Sequence, residues 1–244
     1  TRVLVADSDG NVSFRFANTI GGTGGGSSLY GAINVITDSE YSNILGGCCN
    51  GISNSYETTI IGGWCNCTND VEGSTIVGGR CNYIHDCSDY GAIVGGRCNA
   101  MWGSFNYYST IVGGSCNKSN YAGNDTSIIG GSENCIENYS DCSSVLSGFC
   151  NHLYSSDDSS IIAGHCNCIS DSYSSNVLGG SHNNVLNGTR NIVGGGHYNC
   201  VNNADRSTVI GGSNNHIIDG SNNSSVLGGW HNCICNYSCN SSTL

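Results

Sequence analysis

The chain has 244 residues and a formal net charge of −11, with only 10% of its residues charged. An acidic chain with seven scattered Lys and Arg argues against a nucleic-acid partner, which needs a basic face. No stretch is long and apolar enough to read as a membrane-inserted helix.

Taken in order, residues 1–28 read as a connector and a Gly-rich lead-in. Val3-Leu4-Val5 and Val12-Ser13-Phe14 flank Asp7-Ser8-Asp9-Gly10, which predicts a small hairpin with an Asp-Gly turn. Thr19 to Ser28 is polar and Gly-rich. A degenerate first repeat follows, with Leu29-Tyr30-Gly31-Ala32 standing for its phrase and Asn34 for its Asn. From Ile44-Leu45-Gly46-Gly47-Cys48-Cys49-Asn50 onward one phrase recurs: two aliphatics, two Gly, any residue, often Cys, then Asn. It restarts at Ile60, Ile76, Ile93, Ile111, Ile128, Val145, Ile161, Val177, Ile192, Val209 and Val226, with starts about 15 to 18 residues apart. The repeat domain is therefore 29–244, and it ends at 240–244 without a cap, so the natural chain is expected to continue.

A repeat this short cannot be a helical pair, and it has no 3.6-residue period. The β-branched run before the Gly pair predicts one strand, and the residues after the Asn a second. Ile52, Ile84, Met101, Ile136, Leu153, Ile169, Val185, Val201, Ile217 and Ile234 are that second strand's apolar position. Four residues after the Asn comes a turn column, Asn54, Asp70, Asp86, Gly103, Asn138, Asp171, Asn187, Asn203, Asp219 and Asn236, all types that tolerate left-handed backbone. The fold class is thus all-β, a parallel β-roll or β-solenoid of about 13 rungs, roughly 60 Å long at about 4.8 Å per rung. The phrase Asn should form an amide ladder along the stack. At Ile192 the phrase has one residue too many, which predicts a local bulge.

Seventeen cysteines would suggest a disulfide framework in a small secreted protein. Here Cys49, Cys65, Cys81, Cys98, Cys116, Cys150 and Cys166 share one repeat position, and Cys67, Cys135, Cys168, Cys200 and Cys233 another. Repetition at fixed phase predicts reduced, packed columns in a protein folded in a cytosol.

Adjacent strand residues face opposite sides, so one aliphatic of each pair fills the roll and the other faces outward. Such an apolar stripe predicts association, and three chains around one axis close a rod.

The phrase, the short rung and the double aliphatic column resemble the YadA-type head repeats of trimeric adhesins. They are most similar to the Gly-Gly-x-x-Asn repeats of phage tail-fibre proteins, over about residues 29–244. The opening Val3 to Asn11 resembles a connector that often precedes such repeats. The resemblance implies a left-handed roll and a homotrimer that presents a receptor-binding surface, on a virion appendage or outside the cell. A viral chain of this kind would fold in the host cytosol. The Cys-rich composition, with no coiled-coil stalk or membrane anchor within these residues, departs from the bacterial adhesins, and the self-cleaving chaperone domain of many phage fibres is not seen within them either.

No enzymatic constellation is legible. Asp157 and Asp158 are neighbours rather than a separated acid pair. Glu133 and Glu137 show no partner, and His182 and His231, in the Cys column, read as packing residues. Asp70 and Asp86, one rung apart, offer a bridging Ca²⁺ as the metal reading; otherwise no cofactor is expected. Two groups suit recognition of a cell-surface glycan or protein, the aromatic insertion first and the Trp64-Arg80-Arg97 line second. The longest rung carries Trp102, Phe105, Tyr107 and Tyr108 in one insertion, and aromatic faces suit sugar rings. Trp64, Arg80 and Arg97, each after a Gly pair, should fall in one line. A passive shaft and an ice-binding solenoid are the alternatives. The ice reading needs a regular Thr array, whereas the column Asn43, Thr59, Thr75, Ala92, Thr110, Ser127, Ser144, Ser160, Asn176, Asn191, Thr208, Ser225 is mixed.

Overall fold

The computed structural model describes residues 34–244 throughout and, before them, the backbone of strands Arg2–Ala6, Val12–Phe16 and Ser27–Ser28. The first two pair antiparallel, Arg2 opposite Phe16 and Ala6 opposite Val12. The expected Asp-Gly turn and the degenerate phrase at 29–32 lie outside the described residues. Ser27–Ser28 pairs in parallel with Asn43–Ile44, so the array takes in the end of the lead-in.

The rest is a parallel β-solenoid. Strands from alternate halves of each rung build a 13-stranded and a 14-stranded sheet, with no helix among the described residues. Each strand has two or three residues, because a corner follows at once. The rung Thr59 to Ser74 shows the pattern. Strand Thr59–Ile61 is followed by Gly62, Gly63, Trp64, Cys65 and Asn66; strand Cys67–Asn69 by Asp70, Val71, Glu72, Gly73 and Ser74. Each half turns at two left-handed places: Gly62–Gly63 (73° and 85°) and Cys65 (54°) in the first, Asp70 (54°) and Gly73 (63°) in the second. The rung thus has four corners, where the sequence suggested two. The predicted turn column is left-handed as expected, from Asn54 to Asn236. Tyr121 (46°) and Ser155 (47°) also sit in it, against their intrinsic preference, held by the neighbouring rungs' hydrogen bonds.

The two glycines of the phrase have different causes. A Cβ on Gly63 would lie 2.5 Å from the Gly79 carbonyl oxygen and 2.3 Å from Asn66 Nδ2, so the rungs stack there only without a side chain. A Cβ on Gly62, Gly95, Gly113 or Gly130 would meet nothing within 4 Å. Ser147 and Ala163 stand at this first position in other rungs.

The interior is narrow. One aliphatic column (Ile60, Ile76, Ile93, Ile111) faces another (Ile52, Ile84, Met101, Ile136), all buried. Polar ladders flank them. Each phrase Asn accepts the next Asn's backbone N–H at its Oδ1, as in Asn66 N to Asn50 Oδ1 at 3.0 Å. Its Nδ2 donates to Gly carbonyls of its own rung and the next, at 3.2 and 3.1 Å for Asn66. The ladder therefore runs through the backbone, not from amide to amide. Buried Ser and Thr do the same on the other side, for example Ser159 N to Ser143 Oγ at 3.1 Å. All variation in rung length falls in the second half, where a second left-handed residue is added, as in Asp86-Cys87 and Asn138-Tyr139. Asn-to-Asn spacing is accordingly 16, 17 or 18 residues.

Two further expectations are corrected. There is no bulge at Ile192: it pairs with Asn176, and Val193 pairs with Val177 and is buried. Ile192 simply takes the Thr/Ser position, Gly194 the outward aliphatic position, and Asn191 leaves the proposed Thr column for the buried ladder. This also removes the apparent 15-residue spacing. The cysteines after the Gly pair are not buried packing residues. They occupy the left-handed corner (Cys65 φ 54°, Cys98 φ 55°), half-buried or, at Cys49, exposed. A corner has no interior side, which is why a small residue at fixed phase is not a core residue here. The second column is better covered, and burial pushes the Cys135 thiol up to about 12, helped by the charge of Glu137.

Candidate functional site

The second member of each aliphatic pair points outward. Ile61, Val77, Val94, Val112 and Ile129 are neighbours in register along the sheet. The ridge runs from Leu45 to Leu227, between 37% exposed at Val77 and 53% at Ile210, with Gly194 its one gap. The first-Gly column lies beside it, leaving a flat strip next to an apolar ridge.

Around the next corner the residues after the Gly pair form a line of single bridges: Trp64 to Arg80, Arg80 to Arg97, and on to Trp230. The Arg80 guanidinium lies 4.1 Å from the Trp64 ring centroid. The structure thus brings Trp64, Arg80 and Arg97 together as one ridge. Further along, the Phe149 and His165 rings stack at 5.3 Å.

The aromatic insertion is not brought together in the same way. Trp102 meets His85 edge-on at 5.4 Å, Phe105 faces Tyr139 at 6.1 Å, and Tyr108 stacks on Tyr90 at 5.2 Å. Tyr107 is half-buried. Adjacent insertion residues project to different neighbours because Asn106 between them turns inward, its Nδ2 donating to the Ser119 carbonyl at 2.9 Å. Tyr90 is anchored through its hydroxyl, which donates to Glu72 Oε1 at 2.7 Å.

The carboxylates have local work. Asp70 Oδ2 accepts from Asn69 Nδ2 at 2.6 Å, and Asp86 Oδ2 pairs with His85 Nδ1 at 2.9 Å. Two carboxylates supply at most about four of the six to eight oxygens that Ca²⁺ takes. Asp157 Oδ1 accepts the Asp141 N–H at 3.0 Å, while Asp158 sits in a corner at φ 52°. Both Glu residues that lacked a partner in the sequence have one: Glu137 Oε1 lies 2.6 Å from His152 Nε2, and Glu133 Oε2 accepts from Cys150 Sγ at 3.8 Å. Their partners are a rung away and invisible without the register. His231 packs on Trp230 at 4.3 Å. His182 is not only a packing residue: its Nδ1 lies 2.7 Å from Ser181 Oγ, and it groups with His165 and Cys166. Sequence reading missed that group because its members alternate between two columns.

No cysteine is in a disulfide, and no helix of the described residues is long and apolar enough to cross a membrane. The chain matches no protein-family model and no curated protein. Fold and face together define the class: a parallel β-solenoid with one apolar ridge and one cation–aromatic ridge.

Proposed function

We propose that this chain is a non-catalytic segment of a trimeric fibre or adhesin, of the phage tail-fibre kind, that presents a surface to a cell-surface receptor. The outward aliphatic column carries this reading. Burying a half-exposed aliphatic recovers about 1 kcal/mol, so the ridge is worth on the order of 10 kcal/mol per chain, enough to offset the cost of association. A ridge of this length in water is otherwise unexplained for a soluble monomer. The strip of glycine and small residues beside it, with Ser147 and Ala163 among them, supports close approach of a second copy.

The receptor surface in this reading is the Trp64–Arg80–Arg97 ridge, ahead of Trp102, Phe105, Tyr107 and Tyr108. Indole and guanidinium faces in one line suit a sugar ring, above all one carrying a carboxylate or sulfate. Placement on a virion surface or outside a cell follows, with folding in the host cytosol for a viral chain. The passive shaft is the second reading, favoured by the regular ladders.

An immobilised panel of neutral and acidic oligosaccharides separates the two. Trp64→Ser with Arg80→Ser and Arg97→Ser should abolish retention, since Ser already occupies this position at Ser115 and Ser132. Retention that survives these changes but is lost on replacing the insertion aromatics moves the site there. No retention of any glycan or host surface leaves the shaft.

A further inference from the structure

We propose that His165, Cys166 and His182, with Cys150 at the edge of the group, bind one divalent transition-metal ion of the Zn²⁺ class. This holds whatever the oligomeric state. The solenoid sets the three residues in two adjacent columns. His165 lies on the single-bridge line, and Cys166 and His182 lie one rung apart in the left-handed corner column, at φ 53° and 54°. Main-chain bonds fix the step between rungs: Cys166 N donates to the Phe149 carbonyl and His182 N to the His165 carbonyl, both at 2.9 Å. The ligands are thus held by a rigid ladder rather than by loops, which is what a preorganised site needs.

The three donor atoms lie within 4.8 Å of one another. His165 Nε2 is 3.5 Å from Cys166 Sγ. Tetrahedral bonds of about 2.0–2.3 Å place ligand atoms roughly 3.3–3.8 Å apart, so this pair already has the right separation. His182 needs a shift of at most about an ångström, within a side-chain adjustment. The second coordination sphere is also present. Ser181 Oγ faces Nδ1 of His182 at 2.7 Å and Nδ1 of His165 at 3.5 Å, which leaves the Nε2 of each ring as the donor for the ion. A hydroxyl on the far nitrogen is the usual means of orienting a metal-binding imidazole. Phe149 stacked on His165 and Tyr198, 4.8 Å from His182, wall the group.

The donors are imidazole and thiol with no carboxylate among the three, which selects against Ca²⁺ and Mg²⁺. The other such group among the described residues, Cys135, Glu137 and His152, is less suited. Its imidazole is committed to Glu137 at 2.6 Å. Binding at His165–Cys166–His182 releases the Cys166 proton to solvent as the thiolate forms.

The repeat supplies substitutions that keep the fold. Asn214 already occupies the His182 position at φ 54°, and Ser213 the His165 position. Reduced, chelator-stripped protein should be titrated with Co²⁺ and then Zn²⁺. The wild type should take up one Co²⁺ per chain here, with tetrahedral d–d bands and a thiolate-to-cobalt charge-transfer band that Zn²⁺ abolishes. His165→Ser, Cys166→Asn and His182→Asn should each weaken this at least ten-fold, while His152→Asn leaves it unchanged. Absence of the thiolate band in the wild type, undiminished affinity in His182→Asn, or loss in His152→Asn would each overturn the proposal. Should a variant not fold, Zn²⁺ protection of Cys166 from iodoacetamide, mapped in the wild type, reads the same site; an unprotected Cys166 sinks it.

Discussion

The residue that does most for this fold is the phrase Asn. Asn117 Oδ1 accepts the buried Asn134 N–H at 3.0 Å, and its Nδ2 donates to the Gly130 and Gly131 carbonyls at 3.1 and 3.3 Å. Asn117→Ala orphans a buried N–H and removes a donor shared between rungs, and should cost about 2–4 kcal/mol in urea unfolding. The glycines give a sharper contrast. A Cβ at Gly212 would lie 2.2 Å from the Gly229 carbonyl, whereas one at Gly228 meets nothing within 4 Å. Gly212→Ala should therefore prevent a folded array or lower its melting temperature steeply, and Gly228→Ala should leave unfolding of the chain unchanged. Equal effects of the two would contradict the stacking argument.

At the scale of the rung, the core columns admit few exceptions, and one is uncompensated. Thr68 is buried between Ile52 and Ile84 in register, and its Oγ1 has no hydrogen-bond partner. Thr68→Val keeps the shape and removes the buried hydroxyl, so thermal denaturation should show about 1–2 kcal/mol of added stability. The second Cys column gives a pH signature. Burial, with the Glu137 charge, holds Cys135 at about 12, and burial holds Cys200 at about 11. A folded-state value raised above the unfolded one means the contribution is complete below the ordinary thiol range and is lost as pH rises towards 11–12. The urea midpoint should fall across that alkaline window, and less so in Cys135→Ala. Strands, turn column and Asn ladder were legible in the sequence because each is a residue type forced by a backbone need at a fixed phase. The four-cornered rung was not, because two of its four corner columns are of mixed residue type, where residues such as Cys65 or Tyr108 are held left-handed by ladder bonds. The candidate surfaces were legible in the same measure. Trp64, Arg80 and Arg97 share one phase, so stacking brings them together. Trp102, Phe105 and Tyr108 are neighbours in sequence, and a solenoid sends sequence neighbours to different faces. The His165–Cys166–His182 group needs the register of two columns at once.

At the scale of the molecule, the outward ridge decides between a solitary rod and an assembled one. Its members follow one another rung by rung from Leu45 to Leu227, interrupted at Gly194, so a second copy would meet a ridge rather than isolated contacts. Ile61→Asp with Val77→Asp sets two carboxylates side by side in that ridge, costing several kcal/mol on association while touching no interior side chain. The double variant should keep the β circular-dichroism signal and lose the assembled state. Sedimentation equilibrium of the reduced wild-type protein at micromolar concentration tests the central claim most directly. The account predicts one species of three chain masses; a soluble monomer at that concentration would contradict it.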